Sequence, residues 1–123
     1  MDSAPNKRIL IVDDEPGWRG RVLGSLTEAG YDVLAAKDAT EAMVRADQAH
    51  WGLIIVDDNL GGESGLVLAR FLHRNNPGIP ILLYTSREYD DMTMLDLMRE
   101  GANQCLPKGN MEDLIATVGC YLS

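Results

Sequence analysis

Acidic residues follow two short apolar runs of this 123-residue chain. The run Ile9 to Val12 leads into Asp13 and Asp14, and a second run ends before Asp57 and Asp58. Carboxylates held side by side repel one another, so a fold that gathers them needs a compensating cation. Because their ligand atoms are oxygens, the pattern indicates a hard metal ion and, with it, phosphate chemistry.

The segments between these acids predict the elements that must position them. Short apolar runs alternate with helical patterns, which is typical of β/α units that build a parallel sheet. The predicted strands are 9–12, 31–36, 53–56, 81–84 and 104–106. The predicted helices are one that begins after Pro16 and ends near Gly30, followed by 39–49, 64–75, 90–100 and 111–122. The pattern predicts one domain over residues 1–123, with residues 1–7 as a flexible N-terminal tail.

Polar residues follow four of these strands. When crossovers are right-handed and the strands parallel, their carboxyl ends share one sheet edge, where ligands of such folds bind. The residues predicted to meet there are Asp13, Asp14, Glu15, Asp57, Asp58, Asn59, Thr85, Ser86 and Lys108. In such a set, one carboxylate could accept a phosphoryl group while Mg²⁺ neutralises the negative charge of the acids. A lysine and a hydroxyl would contact the phosphoryl oxygens.

Four segments together resemble the receiver domain of two-component response regulators. They are ILIVDDE, LIIVDDNLGGESG, LLYTS and GANQCLPK, in the order and spacing of that family and over nearly the whole chain. The resemblance implies an α/β fold, the flavodoxin-like three-layer sandwich, with five helices and a five-stranded parallel sheet of order 2-1-3-4-5.

The resemblance also implies a role for each edge residue. Asp57 is the phosphoacceptor, and Asp13 and Asp14 are the acidic metal pair. Asn59 offers its backbone carbonyl to Mg²⁺, so the metal ligands are Asp13, Asp14, Asp57 and Asn59. Thr85 is the switch hydroxyl, and Lys108 is the lysine that contacts phosphate.

By the same resemblance, a histidine kinase or phosphotransfer protein supplies the phosphoryl group. The domain catalyses only its own phosphorylation and dephosphorylation and is not otherwise an enzyme. Its output is a shift in the populations of the conformations of one surface, which is formed by the fourth helix, fifth strand and fifth helix. A downstream protein or output domain reads this surface, and a homodimer could form through it.

Four residues raise separate expectations. Gly61 stands where many family members have proline, so we expect a more mobile loop. Gly109 replaces a proline that often follows the lysine in a cis bond; a cis bond costs ~3 kcal/mol at a non-proline residue, so we expect a trans bond. Cys105 aligns with an aromatic residue of the switch, so coupling to the surface is expected to differ. Arg87, two residues past Thr85, could reach the phosphate and slow attack by water.

Composition indicates which partners and which cellular compartment suit the domain. The formal net charge is -8, and basic residues do not cluster, which disfavours direct nucleic-acid binding. Cys105 and Cys120 lack metal-ligand or CxxC spacing, which fits a reducing cytoplasm. The apolar run near the N-terminus is too short for a signal sequence or a membrane span. The chain is therefore predicted to be cytoplasmic, without a membrane partner.

Three other functions compete with this interpretation. A flavodoxin that binds FMN would need a phosphate-binding first loop, but Asp13, Asp14 and Glu15 would repel the phosphate. A phosphatase with an aspartyl nucleophile, as in the haloacid dehalogenase group, would want an acid two residues after Asp57, where Asn59 stands. The remaining alternative is a receiver-shaped interaction module that does not depend on phosphorylation.

Overall fold

The computed structural model describes residues 6–85, 90–99 and 101–122, and these form a three-layer α/β sandwich. Five parallel strands make the central sheet: β1 (Arg8–Val12), β2 (Asp32–Ala36), β3 (Leu53–Asp57), β4 (Ile81–Thr85) and β5 (Gln104–Pro107). Their spatial order is β2-β1-β3-β4-β5, so the predicted topology is confirmed. The carboxyl ends of all five strands lie at one edge.

Five helices cover the sheet: α1 (Pro16–Glu28), α2 (Ala39–Gln48), α3 (Gly65–Asn75), α4 (Asp91–Arg99) and α5 (Met111–Leu122). Helices and strands match the predicted elements to within two residues at each described end. Ser64 was predicted as the first residue of the third helix, but it lies just before α3 and caps it, because its hydroxyl accepts a hydrogen bond from the Val67 N–H at 3.2 Å. The predicted fourth helix extended to Glu100, which lies outside the described residues.

The three inner strands, β1, β3 and β4, are apolar except at their ends because each one buries both of its faces. The edge strands β2 and β5 are partly exposed. Side chains alternate along a strand, and Ile9 and Ile11 pack with α1 and α5 while Leu10 and Val12 pack with α2 and α3. The pairing register aligns the same faces of neighbouring strands: Ile11 of β1 pairs with Ile55 of β3. Two apolar cores therefore lie between the sheet and its helices, and the polar residues are left to the strand ends.

One element of the fold was not predicted. Two-residue strands Asn59–Leu60 and Glu63–Ser64 pair antiparallel directly after β3, and we call this element the Gly-Gly hairpin. Gly61 and Gly62 form its turn with φ of 63° and 99°, the pattern of a type I′ turn, which excludes a proline at Gly61. Greater mobility of this loop stays a prediction.

Two further expectations concern the chain near the ends of the domain. The peptide bond between Lys108 and Gly109 is trans, as predicted. Residues 1–5 of the predicted flexible tail lie outside the described residues. Within the part of the chain that the structure describes, no helix is long and apolar enough to cross a membrane.

Candidate functional site

The predicted acids, threonine and lysine meet at the carboxyl edge of the sheet. Asp13 follows β1 directly, and its N–H continues the ladder to the Ala36 carbonyl of β2. Asp57 and Thr85 are the last residues of β3 and β4. Lys108 follows β5, and its N–H donates to the Thr85 carbonyl at 2.6 Å. Strand pairing therefore places residues from four distant parts of the chain at one site.

Lys108 joins two of the acids through its ammonium group. Its Nζ lies 2.9 Å from Oδ2 of Asp57 and 3.1 Å from Oδ2 of Asp13. Asp13 and Asp57 are buried, with 1% and 6% of their surface exposed, and Thr85 is buried beside them. Water screens such pairs little, so the ammonium compensates part of the negative charge of Asp13 and Asp57.

Burial changes the pKa values of both partners. Loss of solvent raises the pKa of the Asp57 carboxyl to about 6, although bonds from Lys108 and from the Asn59 N–H oppose the change. Burial alone would lower the pKa of Lys108, but its bonds to Asp57 and Asp13 outweigh this effect and raise it. Lys108 therefore stays charged at neutral pH, whereas Asp57 titrates near the neutral range.

The chain after β3 bends closely around Asp57. The Asn59 N–H donates to Oδ1 of Asp57 at 3.3 Å, and the Gly65 N–H donates to the Asp58 carbonyl at 2.9 Å. The Gly-Gly hairpin also reaches the first acidic pair, because a Cβ at Gly61 would stand 3.0 Å from Oδ2 of Asp14. The missing side chain at Gly61 therefore leaves room beside Asp14.

The loop after β1 is held by its own acids. Oδ1 of Asp13 accepts a hydrogen bond from the Glu15 N–H at 3.0 Å. The Glu15 carboxylate in turn accepts from the Gly17 and Trp18 N–H groups, at 3.0 Å and 2.7 Å, and so caps α1. Glu15 was predicted to join the acidic edge, and in the structure its carboxylate is used as a helix cap.

Asp13, Asp14 and Asp57 offer ligand atoms that lie within 4.8 Å of one another. Asp14 is exposed while the other two are buried, so the group opens to solvent on one side. All three supply carboxylate oxygens and no sulfur or nitrogen. This donor set fits Mg²⁺, which prefers oxygen ligands and keeps several of its own waters.

Two aromatic residues at the site were missed by the sequence analysis. Tyr84 was predicted only as part of a buried strand and Trp18 only as part of the first helix, yet their rings stack with centroids 6.0 Å apart. The Nζ of Lys108 lies 5.5 Å from the Tyr84 ring centroid and 5.9 Å from that of Trp18. No sequence signal links these residues, because α1, β4 and the chain after β5 meet only in the fold.

Two predictions cannot be compared with the site. Ser86 and Arg87 lie outside the described residues. Cys105 is described and is buried on β5, where it pairs with Leu83. Altered coupling through Cys105 stays a prediction.

The chain combines a five-stranded parallel sheet with buried acids and a lysine at the carboxyl edge. These features are typical of the class of flavodoxin-like signalling domains. The model of the response regulator receiver domain family matches residues 9–119. The chain belongs to this family, and it is a receiver domain of the two-component type.

Relatives support the same assignment. The chain is 33% identical over 105 residues to the alkaline phosphatase synthesis transcriptional regulatory protein PhoP of Bacillus subtilis, covering 84% of this chain and 42% of that protein. It spans between 36% and 50% of the length of the first curated relatives that it matches.

Solved structures agree with the fold. The response regulator TrrA from Thermotoga maritima, in complex with Mg²⁺ and BeF, has a TM-score of 0.84 and 29% identity, with 94% of this chain and 99% of that chain covered. A response regulator from Burkholderia pseudomallei, with a phosphorylated aspartic acid, a calcium ion and citrate, has a TM-score of 0.82 and 31% identity. That match covers 91% of this chain and 66% of that chain.

Proposed function

We propose that Asp57 takes a phosphoryl group from a phosphohistidine of a histidine kinase or phosphotransfer protein. The contact that carries the proposal is the 2.9 Å ion pair between the buried Asp57 carboxylate and Lys108. A carboxylate oxygen of Asp57 forms the new O–P bond while the N–P bond of the donor breaks, and the bonding pair stays with the histidine nitrogen. The product is an acyl phosphate on Asp57.

The remaining site residues serve this transfer by charge and position. Lys108 would turn from Oδ2 of Asp57 to a phosphoryl oxygen, since both are anionic and adjacent. Thr85, buried at the end of β4, would hydrogen-bond another phosphoryl oxygen through its hydroxyl. Both contacts stabilise charge that develops on the phosphoryl group.

Mg²⁺ would be held by carboxylate oxygens of Asp13, Asp14 and Asp57 and by the Asn59 backbone carbonyl. When bound, it supplies positive charge to the acids and to the phosphoryl oxygens. The donor set of three clustered carboxylates supports this assignment. The TrrA structure in complex with Mg²⁺ and BeF, and the Burkholderia structure with a phosphorylated aspartic acid and a calcium ion, support it by similarity.

The domain would act as a switch rather than on outside substrates. It would catalyse its own phosphorylation, and then the attack of water on the acyl phosphate, which releases phosphate and restores the carboxylate. The output face is proposed to be α4, β5 and α5, which a downstream protein, an output domain or a second copy would bind. Exposed apolar side chains of Met92, Leu95 and Met98 on α4 support such a surface. The proposed setting is the cytoplasm.

Phosphorylation of the chain tests this function directly. The protein is incubated with Mg²⁺ and acetyl phosphate, and its intact mass is followed. We expect the addition of one phosphoryl group in the wild type and in Asp58→Asn, but none in Asp57→Asn. Equal labelling of Asp57→Asn and the wild type would reject Asp57 as the acceptor.

The amide spectrum with beryllofluoride separates the switch from its main alternative. We expect resonances of α4, β5 and α5 to move when beryllofluoride and Mg²⁺ are added. The alternative is an interaction module that does not depend on phosphorylation, and it is favoured by the small Cys105 at the aromatic switch position. No added phosphate and an unchanged spectrum would support that module instead.

A further inference from the structure

We propose that Trp18 and Tyr84 form an aromatic platform that positions the Lys108 ammonium for phosphoryl transfer to Asp57. The inference rests on the proposed function and adds two positioning residues to it. The two rings stack with an angle of 22° between their planes, and they come from α1 and β4. Tyr84 is buried and Trp18 is half-buried, so the platform is part of the packed interior.

The platform and the acids contact the same ammonium group. The Nζ of Lys108 lies 5.5 and 5.9 Å from the two ring centroids, within the range of about 6 Å in which a ring face attracts a cation. Its distances to the carboxylate oxygens of Asp57 and Asp13 are 2.9 and 3.1 Å. Two carboxylates and two rings therefore restrict where the end of a flexible side chain can lie.

Trp18 is fixed in place by the same loop that carries the first acids. Its backbone N–H donates to the Glu15 carboxylate at 2.7 Å, and the Glu15 backbone N–H donates to the Asp13 carboxylate at 3.0 Å. The Arg21 guanidinium lies 4.5 Å from the Trp18 ring centroid. The two hydrogen bonds tie the Trp18 backbone to Asp13. The indole itself is held by its ring contacts with Arg21 and Tyr84.

A platform of rings suits a lysine that must change partner. Lysine is a point charge on a stem of four carbons, and ordering it costs conformational entropy. Attraction to a ring face is weakly directional, so the ammonium can move from the Asp57 carboxylate to a phosphoryl oxygen and keep this contact. If the ammonium is already restricted before the transfer, the entropy cost of the transfer step is lower.

The side-chain resonances of Lys108 measure its position without any phosphorylation. The chain has three lysines, and Lys7 and Lys37 are exposed. Ring currents should displace the Lys108 Hε resonances upfield from those of the other two. In Trp18→Leu part of this displacement should vanish while the part due to Tyr84 remains, and in Trp18→Phe less of it should be lost. Lys108 resonances at the exposed value in the wild type would overturn the proposal by themselves.

The rate of labelling by acetyl phosphate then links position to function. We expect Trp18→Leu to be phosphorylated roughly three- to tenfold more slowly than the wild type, and Trp18→Phe to recover most of the rate. Trp51→Phe is the matched control, because this buried tryptophan precedes β3, at the opposite edge of the sheet. It should be labelled at the wild-type rate.

The outcomes separate this inference from the proposed function. If the wild type is not phosphorylated, the proposed function fails, whatever the resonances of Lys108. If the wild type is phosphorylated and folded Trp18→Leu matches it in rate and in Lys108 resonances, the platform is overturned. Should Trp18→Leu fail to fold, Trp18→Phe and the wild-type resonances still decide the question.

Discussion

Gly65 packs against the backbone of Asp57 so closely that a Cβ atom at Gly65 would overlap the Asp57 carbonyl. The contact joins the start of α3 to the end of β3, and it lets the chain turn directly after the site. A glycine at this point is therefore required by space rather than by a positive φ.

Substitution of Gly65 tests this close approach. We expect Gly65→Ala to lower the free energy of unfolding by about 3 kcal/mol or more, because backbone must move to admit the methyl group. Gly24→Ala is the matched control: a Cβ there meets nothing within 4 Å. In the middle of α1 it should stabilise the protein by about 0.5–1 kcal/mol. Urea denaturation measures both, and equal effects would contradict the structure.

The raised pKa of Asp57 predicts a pH dependence of stability in the absence of divalent metal. Burial raises this pKa from 3.8 to about 6. The folded state therefore binds the proton more tightly than the unfolded state, so the contribution of Asp57 is full below about pH 4 and is lost as the pH rises through about 6.

Asp57→Asn removes this titration. With a chelator present, the stability of the wild type should fall relative to Asp57→Asn by about 2 kcal/mol between about pH 4 and about pH 7. Urea denaturation at several pH values measures the difference. A constant difference across this range would contradict the raised pKa.

Binding of Mg²⁺ should stabilise the fold, because the three carboxylates are clustered only in the folded chain. At a concentration tenfold above its Kd, the ion should add about 1.4 kcal/mol to the free energy of unfolding. Asp14→Asn should lose most of this gain, since it removes one carboxylate of the cluster.

Asp32→Asn serves as the control for Mg²⁺. Asp32 begins β2 at the opposite edge of the sheet, where it pairs with Arg8. This variant should keep the full Mg²⁺ effect in thermal unfolding. Equal losses in both variants would indicate a general effect of charge instead of a site.

The two cysteines should differ in reactivity toward iodoacetamide. Cys120 is exposed on α5, whereas Cys105 is buried on β5. Burial raises the pKa of the Cys105 thiol, with a further contribution from the charge of Asp58, so little reactive thiolate forms. Native protein should be labelled at Cys120, and Cys105 should react only after unfolding in urea. Peptide mass analysis locates the label, and rapid labelling of Cys105 in folded protein would contradict its burial.

Much of the fold could be predicted from local patterns. A strand buried on both faces needs a continuous apolar run, so Ile9 to Val12 and its counterparts were recognisable, as were helices with one apolar face. Parallel strands with right-handed crossovers then bring the residues after each strand to one edge. For this reason the sequence alone predicts that Asp13, Asp57, Thr85 and Lys108 lie at one site.

Two features are local in the chain and were still not predicted. The Gly-Gly hairpin forms because Gly61 and Gly62 both adopt positive φ beside Asp14, and its two-residue strands are too short to leave a periodic pattern. The use of Glu15 as a helix cap, and not as part of the acidic cluster, follows from its distance to the Trp18 N–H. Both features have sequence signals, a Gly-Gly pair and an acid directly before a helix, but each signal is also compatible with other local structures.

Residue types and their order along the strands were enough to place an acidic, lysine-containing site at the carboxyl edge of a parallel sheet. Only the tertiary structure brought Trp18 and Tyr84 to Lys108, and only burial raised the pKa of Asp57 to about 6. The physical reason is the separation along the chain over which each effect acts. Alternation and helical period act over a few residues, whereas desolvation and ring contacts arise when separate elements pack together.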